Sequence, residues 1–190
     1  GLDHVVLAVS DLDEAVADYQ ALGFTVMPGG EHPSGSRNAL IVFGDETYLE
    51  LLSFLPKSPP ALPPLWQRLR ERASAGEGLI DWAWCSTALS VDLAELKRLE
   101  VSITGPFFGS RRRPDGVLVE FEVAVPADAA LPFLCADVTP RSFRVPEGAV
   151  RLHRNGATGI SRIAVASTSA ALRSERFKRL FGTSATPIEV

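Results

Sequence analysis

Within the first 55 residues the spacing of apolar side chains changes from two to about 3.6 and back to two, and the same succession starts again at Leu79. A chain that repeats this change of period is restricted to an α+β fold in which each copy adds one helix and several strands to a common sheet. In residues 2–9, His4, Val6 and Ala8 fall on one strand face and the bulkier Val5, Leu7 and Val9 on the other, which is expected to meet helices. Ser10 is the expected helix N-cap, with Asp13 three residues on; Leu12, Ala15, Val16 and Tyr19 keep helical spacing until Gly23 stops it. Residues 24–27 resume as a strand, 28–36 read as a loop, and 38–43 and 47–54 read as strands joined by a turn at Gly44-Asp45. The order is β-α-β-β-β.

Pro56, Pro59, Pro60, Pro63 and Pro64 cannot sustain a ladder or a helix interior, so residues 56–64 form a linker, followed by a helix over 65–75. The second copy then reads as a strand at 79–85, a helix at 91–99, and strands at 101–104, 116–125 and 131–138. A third echo stops early, with a strand at 159–167, a helix at 169–181 and the start of a strand at 187–190. The expected organisation is therefore a first βαβββ module (1–55), a Pro-rich linker and helix (56–78), a second βαβββ module (79–140), and a connecting loop with a partial third βα unit (141–190), all in one compact domain. Paired modules make a curved mixed sheet whose concave face is a cavity, the kind of site that small ligands occupy.

Composition narrows the function. No apolar run approaches the roughly 18 residues a membrane helix needs. A net charge of −4 leaves no basic footprint, the run Arg111-Arg112-Arg113 aside, so neither membrane nor nucleic acid is an expected partner. Cys85 and Cys135 lack CxxC spacing and sit in strand-like runs, which reads as buried free thiols in a reducing compartment. No signal-peptide pattern opens the sequence, and the expected location is cytoplasmic. No GxGxxG, P-loop, GxSxG or HExxH is present, so nucleotide, serine-hydrolase and zincin chemistries have no local support.

Alternation puts His4 on the same face as Val6, and Tyr48 and Glu50 on the same face as Leu52, so an imidazole and a carboxylate from the first and last strands of one copy share a wall. Such a pair can bind a divalent metal or act as acid and base. Arg113, which abuts the turn Pro114-Asp115-Gly116, either closes over the cavity mouth to hold an anion by its fork or is solvated at the turn. Trp82 and Trp84 share one face of the second copy's first strand, as a stacking platform for a planar ligand or as core.

The runs from Asp3 to Asp13, Leu22-Gly23-Phe24 and Tyr48-Leu49-Glu50-Leu51 resemble the glyoxalase/bleomycin-resistance/dioxygenase (vicinal oxygen chelate) superfamily. Gly30 through His32-Pro33 with Asn38, Arg113-Pro114-Asp115-Gly116, Leu131-Pro132-Phe133 and His153-Arg154-Asn155-Gly156-Ala157 resemble its glyoxalase-like domain subgroup, whose functions are largely unassigned. The resemblance implies two metal ligands from each module, on its first and last strands. His4 and Glu50 fill the first pair, while Trp82 and Ala136 stand where the second pair belongs, with Asp81 and Asp137 one residue out of register. It also implies that His4, His32 and His153 converge with Glu50 as catalytic groups and that Asn38 and Tyr48 contact substrate; the alternative for His32 and His153 is that they fix loop turns. The resulting expectation is a lyase, isomerase or dioxygenase of the glyoxalase-like class, acting on a small oxygen-rich anion at His4 and Glu50, with or without divalent zinc, nickel, iron or manganese. Its rivals are a metal-free binding protein of the bleomycin-resistance kind, with Trp82 and Trp84 as platform, and a degenerate module that only associates with partners. The truncated third unit and the superfamily's habit of pairing modules across chains imply a homodimer.

Overall fold

The computed structural model describes residues 1–57, 59, 61–165, 188 and 189. The alternating segments become β1 (Leu2–Ala8), β2 (Met27–His32), β3 (Ser36–Val42) and β4 (Tyr48–Phe54), with α1 (Leu12–Ala21) after β1. After α2 (Pro64–Ala73) come β5 (Gly78–Ser86), α3 (Leu89–Arg98), β6 (Ile103–Arg112), β7 (Leu118–Pro126) and β8 (Phe133–Asp137), then a single-turn α4 (Arg141–Arg144) and a 3-10 turn at Gly148–Arg151. The eight strands close into a barrel in the order β1-β4-β3-β2-β6-β7-β8-β5. β1 runs parallel to β4 and β5 parallel to β8, and the other neighbours are antiparallel. No hairpin can join a parallel pair, so a helix and two further strands separate each one in sequence. The seam between β2 and β6 is paired at Glu31 and Arg112.

Two apolar layers follow from the pleat. Outside, α1 packs Leu12 on Ala39 and Leu51, and α3 packs Leu89 and Leu96 on Val5, Trp82, Leu134 and Ala136. Inside, Val6, Leu52, Ala83, Val119, Phe121, Val123, Phe133 and Cys135 meet Leu65, Trp66 and Leu69 of α2. The linker helix thus contributes three buried side chains to the barrel interior, each worth on the order of 2 kcal/mol of apolar burial. The segment after β8 lies against the interior from β3 and β4, where Val145 packs with Leu40, Val42 and Tyr48.

Several local expectations are corrected. The α1 N-cap is Asp11, whose side chain accepts from the Asp13 and Glu14 amides, because its carboxylate reaches both free amides of the first turn. Residues 28–32, expected as loop, belong to β2, since pairing with β3 overrides the turn signal of Pro28-Gly29-Gly30. β6, expected to end at Thr104, runs on to Arg112 along the whole length of β7, past a register shift between Thr104 and Phe107. The third unit's strand is short, β9 (Ile163–Ala164), paired in parallel with β10 (Ile188–Glu189); the helix expected over 169–181 lies outside the described residues. Among the described residues no helix is long and apolar enough to cross a membrane.

Candidate functional site

The inward faces of β1, β3, β4 and β6 carry polar side chains at one level of the barrel. His4, Asn38, Tyr48, Glu50 and Arg111 line a cavity with His32 of β2 and Arg144 of α4, and the opposite wall is apolar: Leu52, Leu65, Trp66, Leu69, Phe121, Val123, Phe133 and Cys135. The void is about 40 Å³, room for roughly three or four water-sized groups at the ~10–15 Å³ each needs.

His4 is fixed on both sides. Its Nδ1 lies 2.6 Å from Asp3 Oδ2 and its Nε2 3.5 Å from Glu50 Oε2, with Tyr48 stacked on the ring at 4.5 Å and Phe133 edge-on at 5.4 Å. Asp3 and His4 are sequence neighbours, and strict alternation would send them to opposite faces. A register shift against β5 between Leu2 and His4 inserts Asp3 as a bulge and brings the two side chains together. Asp3 is fully buried; burial works to raise its carboxyl, but the Arg144 charge and the His4 hydrogen bond outweigh that and hold it well below the usual carboxylate range.

Arg144 ties the network together. Its Nη1 donates to Asp3 at 2.5 Å and to the Tyr48 hydroxyl at 2.8 Å, and its Nε and Nη2 donate to Asp137 at 2.5 and 2.9 Å. Burial pushes the Tyr48 phenol well above its ordinary value, so it stays a neutral hydroxyl. On the other side, Asn38 Nδ2 donates to Glu50 Oε1 at 2.6 Å while its Oδ1 accepts from Arg111 Nη1 at 3.4 Å. Arg111 is 3% exposed and also donates to the Arg144 carbonyl at 3.0 Å. Burial holds its guanidinium below the ordinary value, with Tyr48 and Glu50 opposing the shift. A β-carbon at Gly29 would collide with the Asn38 carboxamide and the Arg111 guanidinium, so only glycine lets the backbone pass here. His32 accepts from or donates to Ser36 Oγ at 3.0 Å and meets the Trp66 edge; burial lowers its pKa to about 4, which keeps it neutral.

The structure therefore brings His4, Glu50, His32, Asn38 and Tyr48 to one cavity, and it separates four other expected site residues from it. His153 bridges two backbone segments instead: Nδ1 accepts from the Thr25 amide at 3.0 Å and Nε2 donates to the Val42 carbonyl at 3.1 Å, between Phe24 and Phe43. Arg113 pairs with Asp115 of its own turn and donates to the Phe143 carbonyl, so Arg111, two residues earlier on β6, is the arginine facing inward. Trp82 and Trp84 pack in the outer layer under α3, because Ala83 and not Trp82 points into the barrel. β8 has the matching parity: Cys135 lines the cavity, Ala136 is in the outer layer, and Asp137 pairs with Arg144. On β5, Asp81 is consumed by Arg68 and Arg72 of α2.

Among the described residues no three His, Cys, Asp or Glu side chains gather as a metal site. Against His4 and Glu50 the far wall offers Phe133 and Cys135, whose thiol burial pushes far up, and two guanidinium groups line the same void. With His32 held apart on Ser36 and not gathered with them, His4 and Glu50 beside two buried cations do not fit a resident divalent ion. Of the three successive arginines the turn motif favours Arg113, whereas Arg111 is the one in the cavity, and no motif marks Asp3, Arg144 or Trp66. The available signals were an acid inside an apolar strand start, and the apolar spacing of Leu65, Trp66 and Leu69 on the linker helix.

A family model described as glyoxalase-like domain matches residues 2–181. No curated protein sequence matches the chain. Among solved structures, a hypothetical protein from Staphylococcus aureus superposes with a TM-score of 0.75 at 16% identity, over 95% of this chain and 75% of that one. A methylmalonyl-CoA epimerase variant from Streptomyces coelicolor, in complex with 2-nitronate-propionyl-CoA, gives 0.51 at 24% identity, over 73% of this chain and 97% of that one. A hypothetical protein from Bacillus halodurans C-125 gives 0.50 at 20% identity, over 74% and 96%. At these identities the likeness is one of fold.

Proposed function

We propose a proton-transfer reaction for this chain, which belongs to the glyoxalase-like domain family: it is an enzyme of the lyase or isomerase kind, acting on a small oxygen-rich anion with His4 and Glu50 as acid and base. The observation that carries the reading is the 3.5 Å approach of His4 Nε2 to Glu50 Oε2, with Asp3 held against the far nitrogen of the same ring. When Nδ1–H donates to Asp3, Nε2 presents its lone pair toward the void. A carbon acid placed there loses a proton from the carbon beside its carbonyl to one member of the pair, the electron pair passes to the carbonyl oxygen, and that same proton, exchanged with solvent on the group that took it or relayed across the 3.5 Å gap to the other member, returns to the carbon. The apolar wall and the small void keep bulk water from competing.

The metal-free binding alternative would rest on a different aromatic surface from Trp82 and Trp84, namely Trp66 stacked on Phe121 at 6.2 Å. The division into paired modules over 1–55 and 79–140 is supported by the repeated β-α-β-β-β order. A reducing, cytoplasmic location is supported by the free thiols Cys85 and Cys135, and homodimeric assembly remains part of the same proposal.

The test is deuterium incorporation from heavy water into a panel of compact 2-oxo and 2-hydroxy carboxylates, followed by proton NMR. Wild type exchanges the proton beside the carbonyl of at least one, and His4→Ala and Glu50→Gln slow that exchange by about 10²–10⁴-fold. Equal rates in wild type and both variants would remove the reading.

A further inference from the structure

We infer that Arg111 is the anchor of a built carboxylate subsite: a compact carboxylate binds with its two oxygens on the Arg111 guanidinium and its remaining atoms toward His4 and Glu50. The inference deepens the proton-transfer reading, and rests on it only for the direction in which the ligand's reactive carbon faces.

A buried guanidinium is retained where an anion compensates it. The other buried arginine, Arg144, has Asp3 and Asp137 within hydrogen-bond distance. Among the described residues Arg111 forms no salt bridge, and its hydrogen bonds go to neutral oxygens, the Asn38 carboxamide at 3.4 Å and the Arg144 carbonyl at 3.0 Å. Glu50 is linked to it through Asn38, whose amide nitrogen is committed to the carboxylate and whose oxygen is turned to the guanidinium. The cation thus meets the site's carboxylate only through a carboxamide, with no direct contact, and still lines the void. The glycine at position 29 is what makes room for this crossing of Asn38 and Arg111 beneath the strand.

Size then selects among anions. A guanidinium fork matches a planar carboxylate or a phosphate by paired N–H donors. A void of about 40 Å³ takes the head of a ligand, roughly three or four groups at ~10–15 Å³ each: a planar carboxylate with its adjoining carbon, the part that acetate shares with 2-oxo and 2-hydroxy acids and that tetrahedral phosphate lacks. The subsite is therefore one for a carboxylate whose next carbon or two reach His4 and Glu50.

The experiment titrates sodium acetate, sodium formate and inorganic phosphate at constant ionic strength into wild-type protein, with the ring resonances of His32 and Trp66 as the readout. Acetate and formate shift these signals saturably in the millimolar range and phosphate does not. Arg111→Gln weakens acetate by about tenfold or more, as expected for losing a paired charge-assisted contact; Arg113→Gln leaves it within about twofold, as a surface charge should. Glu50→Gln, which removes the competing negative charge, tightens acetate. The inference is overturned if acetate fails to saturate in wild type, if phosphate binds as well as acetate, or if Arg113→Gln loses as much as Arg111→Gln. Should Arg111→Gln not fold, the wild-type selection between acetate and phosphate and the gain in Glu50→Gln still decide. Loss of acetate binding with deuterium exchange intact removes the subsite alone, and acetate binding without exchange removes the proton-transfer reading alone.

Discussion

Asp3 Oδ2 lies 2.6 Å from His4 Nδ1, although the two residues are adjacent on one strand. A bulge against β5 makes the contact possible, and Arg144 locks it from behind with bonds to both Asp3 oxygens. The pair is an orienting carboxylate and an imidazole, the arrangement that fixes which ring nitrogen faces a substrate.

Asp3→Asn should therefore slow deuterium exchange by about tenfold or more while acetate still binds. Nitrogen NMR of the His4 ring checks the cause: wild type carries its proton on Nδ1, and the variant distributes it over both nitrogens. Unchanged exchange with a changed tautomer would detach Asp3 from the chemistry.

His32 ties stability to pH. Its folded pKa is about 4 against an ordinary 6.5, with burial the leading cause and Arg111 adding to it. The unfolded chain takes up the proton first, so this contribution is complete above about pH 6.5 and is lost as pH falls toward 4. Over that window it amounts to about 3 kcal/mol, and thermal melts of His32→Asn should show a flatter fall between pH 6.5 and 4 than wild type.

How far this site could be read beforehand depends on the strand. On β1 and β4 plain alternation from well-marked ends was enough to pair His4 with Glu50. On β5 and β8 the same rule started one residue off. The shifts in β1 against β5 change which parity points inward, so Ala83 faces the interior core and Cys135 lines the cavity where Trp82 and Ala136 were expected. Arg111 was hidden because glycine, proline and three successive arginines read as loop, whereas pairing with β7 makes them a strand with every second residue inside. Arg144 could not be found by pattern at all: it is brought to Asp3 across 141 positions by the return of the chain after β8.

Arg144→Met should destabilise the fold by about 1–3 kcal/mol, because the buried Asp3 and the half-buried Asp137 lose its paired donors and keep only Arg141 Nη1, at 2.9 and 3.2 Å. Urea denaturation checks this. The double variant with Asp3→Asn should be less unstable than the two single losses added together.

Gly29→Ala would push on both Asn38 and Arg111. The expected result is a loss of about 1–3 kcal/mol in stability together with weaker acetate binding, in contrast to Gly116→Ala, where a β-carbon meets nothing but the left-handed φ of +86 strains the turn. The second variant should lose stability and keep acetate.

His153→Ala removes an acceptor from the Thr25 amide and a donor from the Val42 carbonyl. Two buried backbone partners left open imply about 1–3 kcal/mol of destabilisation each at most, read by thermal melting, with deuterium exchange and acetate binding at wild-type levels once the protein is folded.

The barrel is not equally closed all the way round. Where β2 meets β6 the ladder is reduced to Glu31 and Arg112, while β3 and β4 pair along their whole length. A cylinder joined this way behaves as a clasp: the lowest-energy opening runs down one side, between the strand that carries His32 and the strand that carries Arg111. The amides of residues 30–32 and 111–113 should accordingly exchange with solvent before those of β3 and β4.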